Sequence, residues 1–365
     1  MLRGTDWIVV QMNATDPLTV ETSESTGVMA GYLSESRALV LEELRQIIPD
    51  NRYGPILYDL MFDYLLREGK ALRPALCIAT CRALGGRLHD VLRTSAVLEL
   101  FHNAFLVHDD VEDESLLRRG LPTLQREYGV PIAINVGDGM YAMCLEPLLD
   151  NSERLGLGKT LRILQIVARM ARESVEGQAI ELDWIRRGQW TASDREYCLM
   201  TYKKTGWYTF IAPIQAGAVV TGASAAEQRE LQRFGRYMGV AFQIRDDVLN
   251  LVGDEQPYGK ETAGDLWEGK HTLMLLHAMR CATPVERAAA ERILSKRRRN
   301  KTAADIDMLL ALIERYGGVD RARALGEQLA DRARQALNNA ARFMPPSVHR
   351  DFLQALPDYI ITRER

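Results

Sequence analysis

Helical periodicity runs almost unbroken from about Met29 to the end of this chain, and no other feature constrains the fold as strongly. In SESRALVLEELRQIIP, residues Ala38, Leu39, Leu41, Leu44 and Ile48 fall close to one helical face, and Pro49 stands beyond them. The same spacing predicts helices over 55–68, 72–84, 88–108, 132–149, 160–183, 194–222, 226–252, 272–282, 285–298, 302–315, 319–343 and 348–362. Period-two alternation is nearly absent. Glycine and proline sit between the segments, as at Gly85-Gly86, Gly120, Pro122 and Pro345-Pro346. Residues 1–30, with the run TDPLTVETSESTG, carry no such pattern and read as a flexible N-terminal tail. Neither a linker nor a repeat divides residues 31–365. A single all-α domain is expected, a large antiparallel helix bundle.

Composition narrows the function. The 365 residues hold 46 Lys+Arg against 49 Asp+Glu, a net charge of −3, so no cationic excess points to nucleic acid. No apolar run is long enough for a transmembrane helix. The apolar stretch Trp7 to Val10 is too short for a signal-peptide core, so a cytoplasmic location is expected. Cys77, Cys81, Cys144, Cys198 and Cys281 are widely spread and read as reduced thiols, most of them buried.

The segment LVHDDVEDESLLRRG places Asp109, Asp110 and Asp113 in an Asp-Asp-x-x-Asp pattern. On a helix, Asp109 and Asp113 share a face, and Asp110 flanks them. Like charges one turn apart destabilise a helix, and Glu112 and Glu114 add to the repulsion. A second cluster, Asp246 and Asp247, follows another apolar helix in FQIRDDVLNLVGDE, with Asn250 where a third Asp would complete the pattern. Two such clusters, far apart in sequence, meet only across a tertiary cavity. Facing each other, they need cations between them. Oxygen donors completed by water and phosphate suit Mg²⁺.

Basic residues flank both clusters: Lys70 and Arg73 before the first, Arg118 and Arg119 after it, Lys203 and Lys204 midway, Lys260 and Lys270 after the second. Acidic clusters for a divalent cation, with several separate cations, describe a polyanionic phosphate site. The phosphate loop of nucleotide-binding α/β folds is missing from the sequence. The substrate read from these residues is a diphosphate with an apolar body, held in a central cavity of the bundle.

In order, GKALRP, FHNAFLVHDDVEDESLLRRGLPT, KKTG, FQIRDDVLNLVGDE and GKETAGDLWEGKHTL resemble the motifs of the trans-isoprenyl diphosphate synthases, most closely geranylgeranyl diphosphate synthases. The resemblance spans roughly residues 35 to 362. It implies the isoprenoid synthase type of bundle, a homodimer, and Mg²⁺-dependent condensation of isopentenyl diphosphate with an allylic prenyl diphosphate. On that resemblance, Asp109, Asp110, Asp113, Asp246 and Asp247 hold Mg²⁺. Lys204, Lys260, Lys270 and Arg118 contact the allylic diphosphate. Lys70, Arg73, His102 and Arg119 form the isopentenyl diphosphate site. Thr205 and Gln243 lie near the allylic carbon. Asn250, and Met274 where the family often has Pro, depart from the pattern.

Other readings are weaker. Glu99 and His102 form a Glu-x-x-His pair, but a di-iron site needs a second pair, which the sequence lacks. A terpene cyclase on the same scaffold would not need Lys70, Arg73, His102 and Arg119. A non-catalytic subunit would be expected to lose aspartates of the first cluster. Lys296 to Arg299 read as a solvated helix end. Ala104, five residues before Asp109, is expected to leave a deep channel for the growing chain and so to favour a C20 product, with Phe105 turned toward a neighbouring helix.

Overall fold

The structure, a computed structural model, describes residues 25–49, 55–67, 69–252 and 263–363. Lys260, expected at the allylic diphosphate, lies outside the described residues. The helices are α1 (Ser25–Ile47), α2 (Pro55–Leu66), α3 (Leu72–Ala83), α4 (Leu88–Glu112), α5 (Leu124–Glu127), α6 (Val130–Ala142), α7 (Leu145–Leu155), α8 (Leu157–Arg187) and α9 (Asp194–Thr201). They continue as α10 (Ala212–Thr221), α11 (Ala225–Val252), α12 (Gly264–Glu268), α13 (Leu273–Cys281), α14 (Pro284–Leu294), α15 (Ala303–Arg315), α16 (Gly318–Ala340) and α17 (Val348–Thr362). The fold is all-α, as the periodicity predicts. No described helix is long and apolar enough to cross a membrane.

The first helix begins at Ser25, inside the segment expected to be tail, because Met29, Tyr32 and Leu33 are buried against the core. Tyr32 stacks on Phe352 of α17 at 4.2 Å, which gives those early turns an apolar partner. The helix predicted over 132–149 breaks at Met143-Cys144 into α6 and α7.

Burial explains which helices build the centre. In α3, ten residues between Leu72 and Ala83 are buried, so the helix is wrapped on nearly every side. Helix α4 is buried along most of its length and delivers the first acidic cluster to its own C-terminal end. Helices α7, α8 and α16 bury one stripe each. Cys77, Cys81 and Cys144 are buried free thiols, Cys198 is half-buried and Cys281 is exposed.

The stretch predicted as one helix over 194–222 is continuous but unevenly wound. Between α9 and α10, Tyr202–Ile211 is a π-helix, the i→i+5 winding that often marks functional sites. Two glycines let it sit deep. A Cβ on Gly177 of α8 would stand 2.2 Å from the Lys204 backbone nitrogen, and one on Gly239 of α11 would stand 2.5 Å from Gly206 Cα. The π-helix is thus held between α8 and α11 at backbone contact.

A short hairpin was not legible in the helical pattern. Strands β1 (Leu117–Arg118) and β2 (Leu121–Pro122) pair antiparallel, with Arg118 opposite Leu121. Its two-residue turn is Arg119-Gly120, both with positive φ (55° and 77°), as a tight hairpin turn demands.

Candidate active site

The C-terminal ends of α4 and α11 and the π-helix converge on one cavity of about 540 Å³. Asp109 and Glu112 line it from α4, and Asp246, Asp247 and Asn250 from α11. The two clusters therefore share a cavity, as their mutual repulsion required. Lys204, Lys270, Arg73, Arg118 and Arg119 stand around the same space.

Cations of the chain pair with Asp109, Asp113 and Asp246, while Glu112 accepts a hydrogen bond from Gln178. Lys204 Nζ lies 3.4 Å from Asp109 Oδ1 and also pairs with Glu181 of α8. Burial lowers the Lys204 pKa, but Glu181, Asp109 and Asp113 outweigh it and raise the pKa. Lys270 Nζ stands 2.9 Å from Asp113 Oδ2 and 3.7 Å from Asp265 Oδ1, spanning the first cluster and the segment after the second. Arg363 pairs with Asp246 and lies over the Phe242 ring at 4.2 Å. Burial pushes the Asp113 carboxyl up, against the pull of Lys270. Burial and then Asp265 do the same to Asp247.

Asp110 stands apart from its neighbours. It is fully buried and takes hydrogen bonds from Arg118 Nε (2.9 Å) and Tyr64 Oη (2.5 Å); like Asp113, it does not line the cavity. The sequence placed it with the metal ligands. The structure shows it anchoring Arg118, whose guanidinium also reaches within 3.6 Å of Asp109. The hairpin makes this possible by turning Arg118 inward while Arg119 takes the tight turn.

Asp247 also sits in a hydrogen-bonded chain. Tyr197 Oη donates to Asp247 Oδ2 (2.7 Å), Gln243 Nε2 donates to Oδ1 (2.8 Å), and Thr205 Oγ1 donates to Gln243 Oε1 (2.9 Å). Thr205 and Gln243, expected together from the resemblance, are in contact. Asn250 has a structural use: its Oδ1 accepts from the Asp265 backbone N–H (3.0 Å) and its own carbonyl accepts from that of Ala263 (2.9 Å). It fixes the start of α12, which brings Asp265 to the cavity.

On the other wall, Arg73 donates to Thr209 Oγ1 (2.8 Å) and covers the Tyr208 ring at 4.7 Å. His102 stacks on that ring at 5.7 Å. Burial, with Arg73 and Arg119 nearby, drives the His102 pKa well below the usual range. Arg119 Nη1 donates to the Arg67 carbonyl (3.2 Å). Lys70 is exposed near the Tyr359 ring and does not line the cavity.

The apolar end corrects one expectation. Ala104 is fully buried away from the cavity, while Phe105 lines it. Phe105 packs with Phe101 (4.9 Å), Tyr141 (5.4 Å) and Tyr208 (5.4 Å), so rings from α4, α6 and the π-helix close that end. Glu181, Tyr197, Tyr141, Tyr208 and Asp265 are site residues that sequence reasoning missed. For Glu181 the sequence carries no signal of this, because its link to Lys204 depends on the close approach of Gly177 to the π-helix.

Among the described residues no three side chains converge closely enough to cage a metal unaided. The fit is to a hard cation completed by ligand oxygens and water: Asp109 and Asp246 are accessible carboxylates on opposite walls, paired with Lys204 and Arg363.

The polyprenyl synthetase family model matches residues 55–313. An octaprenyl diphosphate synthase of Haemophilus influenzae is 32% identical over 83% of this chain and 87% of its own length. A geranylgeranyl pyrophosphate synthetase from Pyrococcus horikoshii superposes with a TM-score of 0.82 at 30% identity, covering 93% of this chain and all of that one. A polyprenyl synthase from Caulobacter crescentus, solved with calcium and isoprenyl diphosphate, gives 0.82 at 29% identity over 95% of this chain and all of that one.

Proposed function

The chain belongs to the polyprenyl synthetase family, and on that premise we propose that it joins isopentenyl diphosphate head-to-tail to an allylic diphosphate, giving a trans-prenyl diphosphate with geranylgeranyl diphosphate as the main product. The observation that carries this is the shared cavity, where two acidic clusters and several cations meet a group of packed aromatic rings.

Asp109, Asp113, Asp246 and Asp247 would hold Mg²⁺ together with the allylic diphosphate; bound there, it would stabilise the charge growing on the leaving oxygens. Lys204 and Lys270 bind the same diphosphate, and Lys260 joins them on sequence grounds. Arg118, fixed by Asp110, adds charge from the hairpin side. Arg73, Arg119 and His102 take isopentenyl diphosphate, with Lys70 at the rim. As the carbon–oxygen bond breaks, Thr205 and Gln243 present oxygen dipoles to the allylic cation. The ring-lined end keeps water from it. The isopentenyl double bond attacks, and the departing diphosphate accepts the proton.

Relatives include both geranylgeranyl and octaprenyl synthases. A floor of packed rings around Phe105 favours the shorter class. Assembly as a homodimer belongs to the same proposal: Val130 and Ile134 of α6 and Leu145 and Leu149 of α7 are exposed apolar residues that a second copy would cover. Sedimentation as a monomer at micromolar concentration would remove that part.

The reaction itself is tested with labelled isopentenyl diphosphate and Mg²⁺, with and without geranyl or farnesyl diphosphate. Label should become organic-extractable only when both substrates are present. Conversion of the allylic diphosphate alone to a hydrocarbon would identify a cyclase instead.

A further inference from the structure

The basic run Lys296 to Arg299 reads from sequence as a solvated helix end, and part of it is not. Lys296 pairs with Asp305 at the start of α15, but the Arg298 side chain is only 13% exposed and its Nη1 lies 3.6 Å from Glu268 Oε1. Nearby, Lys301 Nζ donates to the carbonyls of Leu266 (2.9 Å) and Trp267 (2.7 Å), satisfying acceptors at the end of α12. The segment after α14 therefore braces the short helix that precedes Lys270.

Glu268 is the centre of this brace. It ends α12 and is largely buried. Its Oε1 accepts from Ser115 Oγ at 3.0 Å, on the loop after the first cluster. Its Oε2 lies 2.9 Å from Lys270 Nζ, and that ammonium is also 2.9 Å from Asp113. We propose that Glu268, braced by Arg298, is a positioning residue that holds Lys270 between Asp113 and Asp265 and ties the loop after the first cluster to the segment after the second.

A lysine ammonium sits at the end of four rotatable bonds. With Glu268 neutral, the carboxylates left to Lys270 are Asp113 and Asp265. The ammonium, no longer shared with Glu268, then stays in its 2.9 Å contact with Asp113 and withdraws both a carboxylate and a cation from the diphosphate. This inference rests on the prenyl-transfer reading and adds to it a residue that touches neither substrate.

The test has two readouts. The first is the thermal shift of the protein titrated with inorganic diphosphate at fixed Mg²⁺. The second is the pair of Michaelis constants. Glu268→Gln should weaken the diphosphate-induced shift and raise KM for the allylic substrate, each by about tenfold, as supporting contacts around charged sites commonly do. KM for isopentenyl diphosphate should stay within about twofold, since Arg73 and Arg119 are on the other wall. Arg298→Met should move the same two quantities in the same direction, and Arg298→Lys should restore them; these carry the test if Glu268→Gln does not fold. Unchanged diphosphate binding, or equal rises in both Michaelis constants, would overturn the proposal. Failure of the prenyl-transfer reading looks different: wild-type protein would make no prenyl product while its diphosphate shift remained measurable.

Discussion

Lys204 and Asp109 stand 3.4 Å apart across the mouth of the cavity, and the same ammonium is gripped by Glu181 from α8. The acid on α4 is thus one of two partners. Removing it leaves Lys204 paired and relieves repulsion within the first cluster. Asp109→Ala should fold with an unchanged or higher melting temperature, yet lose roughly a hundredfold or more in kcat, the scale of deleting a charge-stabilising group. Circular dichroism and turnover together check it; retained activity sinks it.

The two diphosphates should separate by mutation. Arg73 lies on the Tyr208 and His102 wall, Lys204 on the side of Asp109. Arg73→Ala should mainly raise KM for isopentenyl diphosphate, and Lys204→Ala that for the allylic substrate, each by roughly 1.5–3 kcal/mol for a lost charged contact. Equal effects of both variants on both constants would show the assignment to be wrong.

Product length should follow the rings that close the cavity. Phe105→Ala should lengthen the main product by at least one isoprene unit, and Tyr141→Ala should do the same from the opposite helix. Ala104→Phe should instead cost about 1–3 kcal/mol of stability by overpacking a buried site. Chain lengths are read by mass spectrometry; a shorter product from a stable Ala104→Phe protein would return the channel to the Ala104 face.

Acid sensitivity should trace to buried imidazoles. His271 is buried against Trp190, with ring centroids 4.0 Å apart, and burial pushes its pKa down to about 4. Between the unfolded value near 6.5 and about 4, the unfolded chain binds the extra proton, so stability falls as pH falls through that window. His271→Phe should flatten this part of the stability–pH curve, measured by urea unfolding between pH 7 and 4. An unchanged slope would mean that His271 is not buried neutral.

Much of this was legible in the sequence because the signals were local and redundant. Helical spacing fixed most of the elements, and the repulsion between Asp109, Asp113 and their neighbours demanded a cavity with cations. What escaped depended on tertiary geometry. Ala104 and Phe105 differ by one residue, and only the packing of α6 against α4 decides which faces the cavity. Asp110 shares a motif with Asp109 but points to Tyr64, a partner on α2 that no spacing rule connects to it. Residues 25–30 join α1 instead of the expected tail because α17 supplies Phe352 for Tyr32 to stack on; residues 1–24 of that expectation lie outside the described residues. Glu181 needed the Gly177 contact with the π-helix before its reach to Lys204 had meaning.

The central claim is that one cavity brings two diphosphates together and joins their carbons. Mass analysis of the products from isopentenyl diphosphate, Mg²⁺ and farnesyl diphosphate tests it most directly. The account predicts a prenyl diphosphate one five-carbon unit longer than the primer, geranylgeranyl diphosphate, as the dominant species, and none when chelator is in excess. Recovery of unextended farnesyl diphosphate, or of a product lacking carbon from isopentenyl diphosphate, would contradict it.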